Sequence, residues 1–188
     1  MEVVNLGEKS FCLRTTTSLE DSDTPLTVAY AQSVIVSIKS RKTTAPPDWW
    51  NKKFQPHYVK QSEELRLPRL EVAKKTPLSS DYSVGVSLSD VDPYLHLNWT
   101  NCIKFCYDAF ISHRIKDPSW KNSGELNRNV KSLTASYLKE APLGDQLDVK
   151  MWKAEGEGDV DKYDFQIVRG SEVTNEARLE FYPQDMDD

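Results

Sequence analysis

Residues 84–111 have the sequence VGVSLSDVDPYLHLNWTNCIKFCYDAFI, which places a strand directly before a helix. In 84–88 every second residue is apolar, and this alternation predicts a strand with one face packed inward. Residues 90–93 then end the strand, because aspartate favours turns and proline supplies no amide hydrogen. From 98 to 112, apolar side chains fall on almost every side of a helical wheel. A helix with that distribution is expected to be enclosed by the rest of the protein.

The remainder of the C-terminal half is predicted to be strand after strand. Four segments are predicted strands: 130–138, 147–153, 163–168 and 177–182. In the last three, apolar residues alternate clearly, which is typical of a strand with one buried face. A strand, an enclosed helix and four antiparallel strands is the order of elements that lets a curved sheet wrap a central helix. The predicted architecture is therefore α+β.

The N-terminal segment is predicted to form a hairpin. Its strands are indicated at 11–13 and 26–38, where β-branched and aromatic residues are frequent. Residues 20–25, which are rich in aspartate and end in proline, separate the two strands and are typical of a turn.

A faint internal repeat relates this hairpin to the end of the chain. Residues 9–13 and 26–28 resemble residues 163–167 and 177–179. Both pairs are interpreted as terminal hairpins of the same kind. Residues 1–42 are thus expected to supply the last strands of a second, partial unit, whose helix half is absent from this chain.

Residues 43–78 are predicted to be a linker that wraps the surface. Five prolines and interleaved charges in this segment argue against a long helix or a central strand. A short helix is expected near 61–65. Trp49 and Trp50 are interpreted as rings that anchor the linker in preference to a platform for a ligand.

Composition narrows the classes of function. The net charge is −5 and the 24 basic residues are spread along the chain, which gives no electrostatic footprint for a nucleic acid. No apolar run approaches the length of a membrane span, and the first residues lack the pattern of a secretion signal, so a cytoplasmic protein is expected. The three cysteines, Cys12, Cys102 and Cys106, are expected to be buried, reduced thiols, and no spacing indicates a metal site.

The segment between the predicted first strand and the helix carries a motif. Four polar residues form the pattern D-x-D-x-x-x-H-x-N: Asp90, Asp92, His96 and Asn98. This pattern resembles the corresponding segment of hotdog-fold thioesterases, including the hydroxybenzoyl-CoA thioesterase type and the plant and bacterial acyl-ACP thioesterases. Residues 132–140, followed by 144–145, are similar to the strand-and-turn region of the same enzymes. The likeness covers about residues 82–183 and implies a hotdog domain over 79–188, with a curved antiparallel sheet around a central helix.

The resemblance implies three catalytic residues. Asp92 matches the aspartate that acts as general base or nucleophile, His96 matches the histidine of the acyl-ACP thioesterase site, and Glu140 matches its glutamate. The chemistry suits these side chains, since a carboxylate can accept a proton from water and histidine can move that proton near neutral pH. Each also has a structural interpretation: Asp92 as a turn cap, His96 as a structural hydrogen-bonding residue, and Glu140 as a solvated carboxylate at a strand end.

Tyr94, Asn98 and Trp99 are expected to contact the substrate. Tyr94 and Trp99 depart from the family pattern, which has asparagine at both positions, and a tyrosine does not offer the same amide geometry. The amides near Asn98 and Trp99 begin the predicted helix, where a helix N-terminus can stabilise a negatively charged carbonyl oxygen.

These observations predict hydrolysis of an acyl thioester of coenzyme A or acyl carrier protein, without a metal or a cofactor. A homodimer or a tandem pair of hotdog units is expected, because such domains bury sheet edges against each other. Two other functions stay open. One is a non-catalytic acyl-binding scaffold, and the other is a hydratase or dehydratase that leaves the thioester intact.

Overall fold

A computed structural model shows a chain that divides into two compact units, Met1–Pro68 and Arg69–Asp188. The residues that the structure describes are 1–58, 67, 69–72, 77–118, 128–155 and 160–183. No helix within these ranges is long and apolar enough to cross a membrane.

The first unit is built on a three-stranded antiparallel sheet with the order β1-β2-β3. Its strands are β1 (Glu2–Leu6), β2 (Ser10–Ser18) and β3 (Pro25–Val34). The predicted hairpin is confirmed by β2 and β3, which pair over nine residue positions. Strand β1 was not predicted from the sequence. Its residues Val3 and Val4 are both buried.

Two details of the first unit differ from the prediction or lie beyond it. The strand predicted over 26–38 is too long, because the chain leaves the sheet after Val34 and turns back on itself. In this turn the Arg41 amide donates to the Ser37 carbonyl oxygen at 2.8 Å. The short helix predicted near 61–65 lies outside the described residues.

The proline-rich segment contains one helix of seven residues, α1 (Asp48–Phe54). The ring of Trp50 lies 5.2 Å from the ring of Phe11 and 4.8 Å from that of Phe54, measured between centroids. Trp50 therefore has the anchoring role expected of the tryptophan pair. Trp49 does not share it, since 63% of its surface is exposed.

The second unit has a five-stranded antiparallel sheet with the order β4-β6-β7-β8-β5. Its elements in chain order are β4 (Ser79–Gly85), α2 (Trp99–Arg114), β5 (Val130–Tyr137), β6 (Gln146–Lys153), β7 (Asp161–Arg169) and β8 (Glu172–Phe181). This is the predicted sequence of one strand, one helix and four strands, and the predicted α+β architecture is confirmed.

The core of the second unit lies between α2 and one face of this sheet. The predicted alternation in β6, β7 and β8 is confirmed, because the apolar residues at every second position of these strands are buried. The inward residues of the three strands are Leu147, Val149, Met151, Tyr163, Phe165, Ile167, Ala177, Leu179 and Phe181. Phe105 and Phe110 of α2 are buried against them, and the ring of Phe110 stacks on that of Phe181 at 4.7 Å.

Two expectations for the strand and the helix need correction. Leu88 is not part of the first strand, which ends at Gly85. It begins a short 3-10 turn and is 74% exposed. The helix is also less enclosed than its composition predicts. Its core side is buried, but Trp99 at its start is 60% exposed and Lys104 is exposed as well.

Candidate active site

The segment that connects β4 to α2 is a tight, internally bonded turn. Asp90 closes a capping box with Ser87, whose amide donates to Asp90 Oδ2 at 2.9 Å. The Asp90 carbonyl oxygen accepts the amide hydrogen of Asn98 at 2.8 Å, which brings the two ends of the segment together. Asp90 therefore shapes the loop that presents the other polar residues of the motif.

Asp92 organises the tip of this loop. Its Oδ1 accepts hydrogen bonds from the amides of Tyr94 at 2.8 Å and His96 at 3.2 Å. Its own amide donates to the His96 carbonyl oxygen at 2.8 Å. Between them Leu95 has φ of 62°, a left-handed conformation that is strained for a leucine. The Asp92 carboxylate is thus the turn cap of the structural interpretation, with Oδ1 engaged in that role.

His96 and Glu140 are brought together by the fold. His96 Nε2 lies 3.6 Å from Glu140 Oε2, and their side chains are 26% and 58% exposed. The separation is slightly longer than a direct hydrogen bond, and a small rotation of the exposed glutamate side chain would close it. The two residues are far apart in sequence, so this contact is a property of the tertiary structure.

Backbone pairing holds the two loops that carry these side chains. His96 forms an antiparallel bridge with Pro142. On either side, the Leu97 amide donates to the Ala141 carbonyl oxygen at 2.8 Å, and the Leu143 amide donates to the Leu95 carbonyl oxygen at 2.9 Å. The His96–Glu140 contact therefore rests on a short two-stranded ribbon.

Arg169 supports the glutamate loop and was not indicated by the sequence. Its Nη1 donates to Asp145 Oδ2 at 2.7 Å and to the Glu140 carbonyl oxygen at 3.4 Å, and its Nη2 donates to Glu172 at 2.7 Å. These contacts tie the loop after β5 to the turn between β7 and β8. No motif surrounds Arg169, so only the folded arrangement of the loops identifies it.

The first turn of α2 leaves one amide for a ligand. The Asn98 side chain caps the helix by accepting the Thr100 amide at 3.1 Å. The amides of Asn101 and Cys102 donate to the Asn98 carbonyl oxygen, and the Asn98 amide is held by Asp90. Among the amides of residues 98–102, the hydrogen bonds of the described part of the chain leave only Trp99 N–H without an acceptor.

Tyr137 fastens this helix start to β5. Its hydroxyl donates to the Trp99 carbonyl oxygen at 3.2 Å. Burial raises the pKa of Tyr137, and the nearby thiols Cys102 and Cys106 raise it further, so the hydroxyl keeps its proton across the neutral range. Tyr137 lies within the segment 132–140 that carries the second sequence likeness, but its type alone gave no sign of this contact.

The cysteines are not candidates for the nucleophile. All three are free and buried, as predicted. Burial raises the pKa of Cys102 to about 12, and it also raises the pKa of Cys106. Both groups are therefore thiols near neutral pH, and a thiolate is the form that attacks a carbonyl.

The surroundings of the candidate site are open and apolar in character. Tyr94 and Leu95 are 62% and 53% exposed, and Trp99 is similarly exposed. A surface cavity of about 590 Å³ lies elsewhere in the second unit, and Trp152, Lys153, Asp164 and Arg178 are among the residues that line it. None of the site residues predicted from the sequence lines that cavity.

The whole chain is similar in structure to solved thioesterases. The 12:0-ACP thioesterase from Umbellularia californica matches 97% of this chain with a TM-score of 0.74 and 15% identity. The fold of the second unit is the hotdog fold. An acyl-ACP thioesterase from Bacteroides thetaiotaomicron matches 96% of the chain with a TM-score of 0.67 and 16% identity.

The motif of residues 90–98 implied a hotdog fold, and these matches confirm that fold. A thioesterase from Thermus thermophilus, solved with coenzyme A and zinc, matches 56% of this chain and 78% of its own, with a TM-score of 0.50 and 19% identity. No protein-family model and no curated protein matches the sequence. The chain spans 64% of the Umbellularia protein and 66% of the Bacteroides protein.

Proposed function

We propose that this chain hydrolyses an acyl thioester, carried on acyl carrier protein or coenzyme A, to a free acid and a thiol. The observation that supports this most is the 3.6 Å approach of His96 Nε2 and Glu140 Oε2 in a hotdog fold. Two polar groups that can exchange a proton with water lie close to the start of a helix, where a carbonyl oxygen can be polarised. The neighbours in structure are named as thioesterases, which supports a thioester hydrolase in general.

In the proposed reaction, Glu140 accepts a proton from a water molecule and passes it to His96. The water oxygen attacks the thioester carbonyl carbon, and the carbonyl oxygen becomes an oxyanion. Trp99 N–H, at the positive end of the α2 dipole, donates to that oxyanion. The oxyanion then re-forms the carbonyl as the carbon–sulfur bond breaks, and the leaving thiolate takes the proton from His96, so that the products are the acid and the thiol and the site returns to its starting state.

Asp92 is the other carboxylate that the motif offers as a base. Its Oδ1 already accepts two amide hydrogens in the turn, so only Oδ2 is left for chemistry. Glu140 faces His96, and we therefore assign the base to Glu140 and the positioning of His96 to Asp92. Asparagine retains an Oδ1 acceptor but not a base, so Asp92→Asn separates the two roles: kcat within about threefold of wild type supports positioning, whereas a loss of about 10² or more assigns the base to Asp92.

We further propose that Tyr94, Asn98 and Trp99 lie along the path of the acyl thioester. Tyr94 and Trp99 expose aromatic surface beside the loop of His96, which suits contact with an acyl chain or with the pantetheine arm that both carriers share. Asn98 acts through its cap, which sets the direction of Trp99 N–H. A homodimer or a tandem pairing of hotdog units would supply the remaining wall of an open site.

The test is release of free thiol from acyl-ACP and acyl-CoA substrates of several chain lengths. Wild-type protein is compared with His96→Ala and Glu140→Gln, and with His113→Ala and Glu155→Gln as matched controls away from the site. We expect kcat/KM to fall by about 10² to 10⁴ in the two site variants. The two control variants should behave like wild type.

Two results would contradict the proposal. One is turnover that survives both site variants, which would remove His96 and Glu140 from the chemistry. The other is tight binding of the acyl substrate by a folded protein that releases no thiol from any member of the panel. That second result would instead support the acyl-binding scaffold, and it would direct attention to Tyr94, where the acyl-ACP enzymes have asparagine.

A further inference from the structure

The cavity of about 590 Å³ in the second unit is lined by a row of side chains from three neighbouring strands. In this row Trp152 of β6 pairs with Asp164 of β7, and Asp164 pairs with Arg178 of β8. The residue that precedes each of them belongs to the core. Because successive side chains of a strand point to opposite faces, the row lies on the face of the sheet that does not pack on α2.

Two further parts of the lining are fixed to these strands by hydrogen bonds. The Glu71 carbonyl oxygen accepts a hydrogen bond from Arg178 Nη2 at 3.3 Å, which holds residues 71–72 beside the guanidinium. The Leu78 amide donates to the Met151 carbonyl oxygen at 2.7 Å, which holds Leu78 beside β6. All of these residues lie in the second unit, so the cavity is a property of that unit alone.

Arg178 offers hydrogen-bond donors in a fixed orientation. Asp164, which is 1% exposed, accepts hydrogen bonds from Nε and Nη2, so it occupies one edge of the planar guanidinium. Nη1 lies at the other edge, and no described residue accepts a hydrogen bond from it. The side chain is 27% exposed, so the two N–H groups of Nη1 are open to a ligand that carries an acceptor.

The other basic groups of the cavity have less to offer. Lys162 Nζ lies 3.0 Å from a Glu180 carboxylate oxygen, and Lys153 Nζ lies 3.2 Å from an Asp161 carboxylate oxygen. Lys162 is a diagonal neighbour of Arg178 across β7 and β8, so it adds positive potential near the guanidinium. Arg178 is therefore the principal contact for an anion.

The acidic groups limit the charge that the cavity accepts. Glu71 and Glu155 line it with exposed side chains, and the Asp164 carboxylate is taken up by Arg178. One negative charge on a ligand gains the donors of Arg178. A second charge would find no further unpaired donor and would be repelled by the two glutamates. The arrangement thus favours a monoanion over a dianion.

The rest of the lining suits an apolar body. Four apolar side chains contribute to it: Trp152, Val72, Leu78 and Ala154. Sites for small molecules commonly have volumes of about 300–1,000 Å³, with apolar walls and a few placed polar groups. This cavity has that volume, one arginine with open donors and an indole ring in the same row.

We propose that this cavity binds a small monocarboxylate with an apolar body. The carboxylate accepts hydrogen bonds from Arg178 Nη1, and the apolar body lies against Trp152 and Leu78. The proposal does not depend on the proposed thioesterase activity, because none of the residues of the candidate active site lines the cavity.

The first test measures binding of octanoate to the full chain by isothermal titration calorimetry. We expect a Kd of about 1 mM or lower. Octanol, which lacks the charge, and acetate, which lacks the apolar body, should each bind at least about tenfold more weakly. Octyl phosphate, measured at a pH where it is a dianion, should also bind at least about tenfold more weakly.

The second test locates the bound octanoate. The indole N–H signal of Trp152 in a nitrogen–proton NMR spectrum, assigned by its loss in Trp152→Phe, should shift as octanoate is added. Arg178→Lys keeps a cation beside Asp164 but removes the Nη1 donors, so Kd should rise at least about tenfold. Ala154→Trp fills the cavity without changing a charge and should have the same effect.

Three variants serve as controls and should keep the wild-type Kd. Arg114→Lys and Ala31→Trp repeat the two cavity substitutions at positions outside the cavity. Glu140→Gln changes the candidate active site, where octanoate could bind as a product of thioester hydrolysis. Circular dichroism checks the fold of every variant. If Arg178→Lys fails to fold, Ala154→Trp and the Trp152 signal decide the site.

Three outcomes would overturn the proposal. One is the absence of octanoate binding up to about 10 mM. A second is binding that leaves the Trp152 signal and the Kd of Ala154→Trp unchanged, or that Glu140→Gln removes, since either result would place octanoate elsewhere. The third is octanol or octyl phosphate that binds as tightly as octanoate, which would exclude recognition of a single negative charge by Arg178.

Discussion

Asp164 is a buried charge whose only partner in the described structure is one arginine side chain. It is 1% exposed and lies in the middle of β7, where Arg178 Nε donates to its Oδ1 at 2.5 Å and Nη2 donates to its Oδ2 at 2.9 Å. The carboxylate raises the pKa of Arg178, so the guanidinium stays charged at all ordinary pH values. The bidentate geometry offsets the cost of removing both charges from water.

We expect Arg178→Met to lower the free energy of unfolding by about 3 kcal/mol, because it leaves the Asp164 carboxylate buried without a partner. Asp164→Leu with Arg178→Met should recover most of that loss, since an uncharged pair carries no such cost. Urea denaturation of the wild type and both variants measures the difference. Equal losses in the single and double variants would mean that packing, and not the unpaired charge, dominates.

At the scale of elements, Arg128 fastens the edge strand β5 to the rest of the sheet. It lies just before β5, its Nη1 contacts Asp161 Oδ2 at the start of β7 at 2.5 Å, and its Nη2 donates to the Tyr182 carbonyl oxygen at 2.8 Å. The guanidinium also lies over the ring of Phe181, 5.1 Å from its centroid. One side chain thus joins the ends of three strands.

This contact predicts an acid dependence of stability. Burial alone would raise the pKa of Asp161, but the hydrogen bonds and charges of Arg128 and Lys153 prevail and lower it. A carboxyl group with a lowered pKa in the folded state adds stability that is present above its unfolded pKa, about 4, and is lost as the pH falls further. Asp161→Asn should therefore be less stable than wild type at pH 7, and the difference should shrink toward pH 2. Thermal unfolding across that range measures it, and a constant difference would argue against the ion pair as its cause.

The Asn98 cap and the Asp92 turn show how a motif can serve both an element and a site. Their side-chain oxygens accept amides at the start of α2 and at the tip of the preceding loop. Each contact fixes a group that the proposed reaction uses, the Trp99 N–H in one case and His96 in the other. Two polar residues of the motif thus hold the backbone of the loop and of the helix start through hydrogen bonds.

At the scale of the molecule, the buried cysteines report on each unit separately. Cys12 is 1% exposed in β2 of the first unit, and Cys102 and Cys106 lie in the helix of the second at 3% and 1%. Burial raises the pKa of all three thiols. Each must therefore be exposed by opening of its own unit before it can react.

We expect an aromatic disulfide reagent to label none of the three cysteines rapidly in native protein and all of them in urea. Mass spectrometry of digests taken during labelling assigns each rate to a residue. Labelling of Cys12 well before Cys102 and Cys106 would show that the first unit opens independently. Rapid labelling of all three in native protein would contradict the burial on which the argument depends.

The sequence determined much of the second unit by itself. Alternation in β6, β7 and β8 specified which residues face inward, because successive side chains of a strand point to opposite faces of the sheet. The order of elements was sufficient for the α+β architecture, and the spacing of Asp90, Asp92, His96 and Asn98 was sufficient to place a motif before the helix. These are local properties, in which each residue depends on near neighbours.

Only the tertiary structure decided the rest. The approach of His96 to Glu140 and the support from Arg169 depend on loops that are distant in the chain, and no local pattern encodes that distance. Leu88 was predicted inward because alternation continues past Gly85, but the capping box of Ser87 and Asp90 turns the chain first. Trp152, Asp164 and Arg178 are visible in the sequence, but their alignment in one row across three strands is not. That alignment is set by which strands pair, and pairing depends on contacts between residues far apart in the chain.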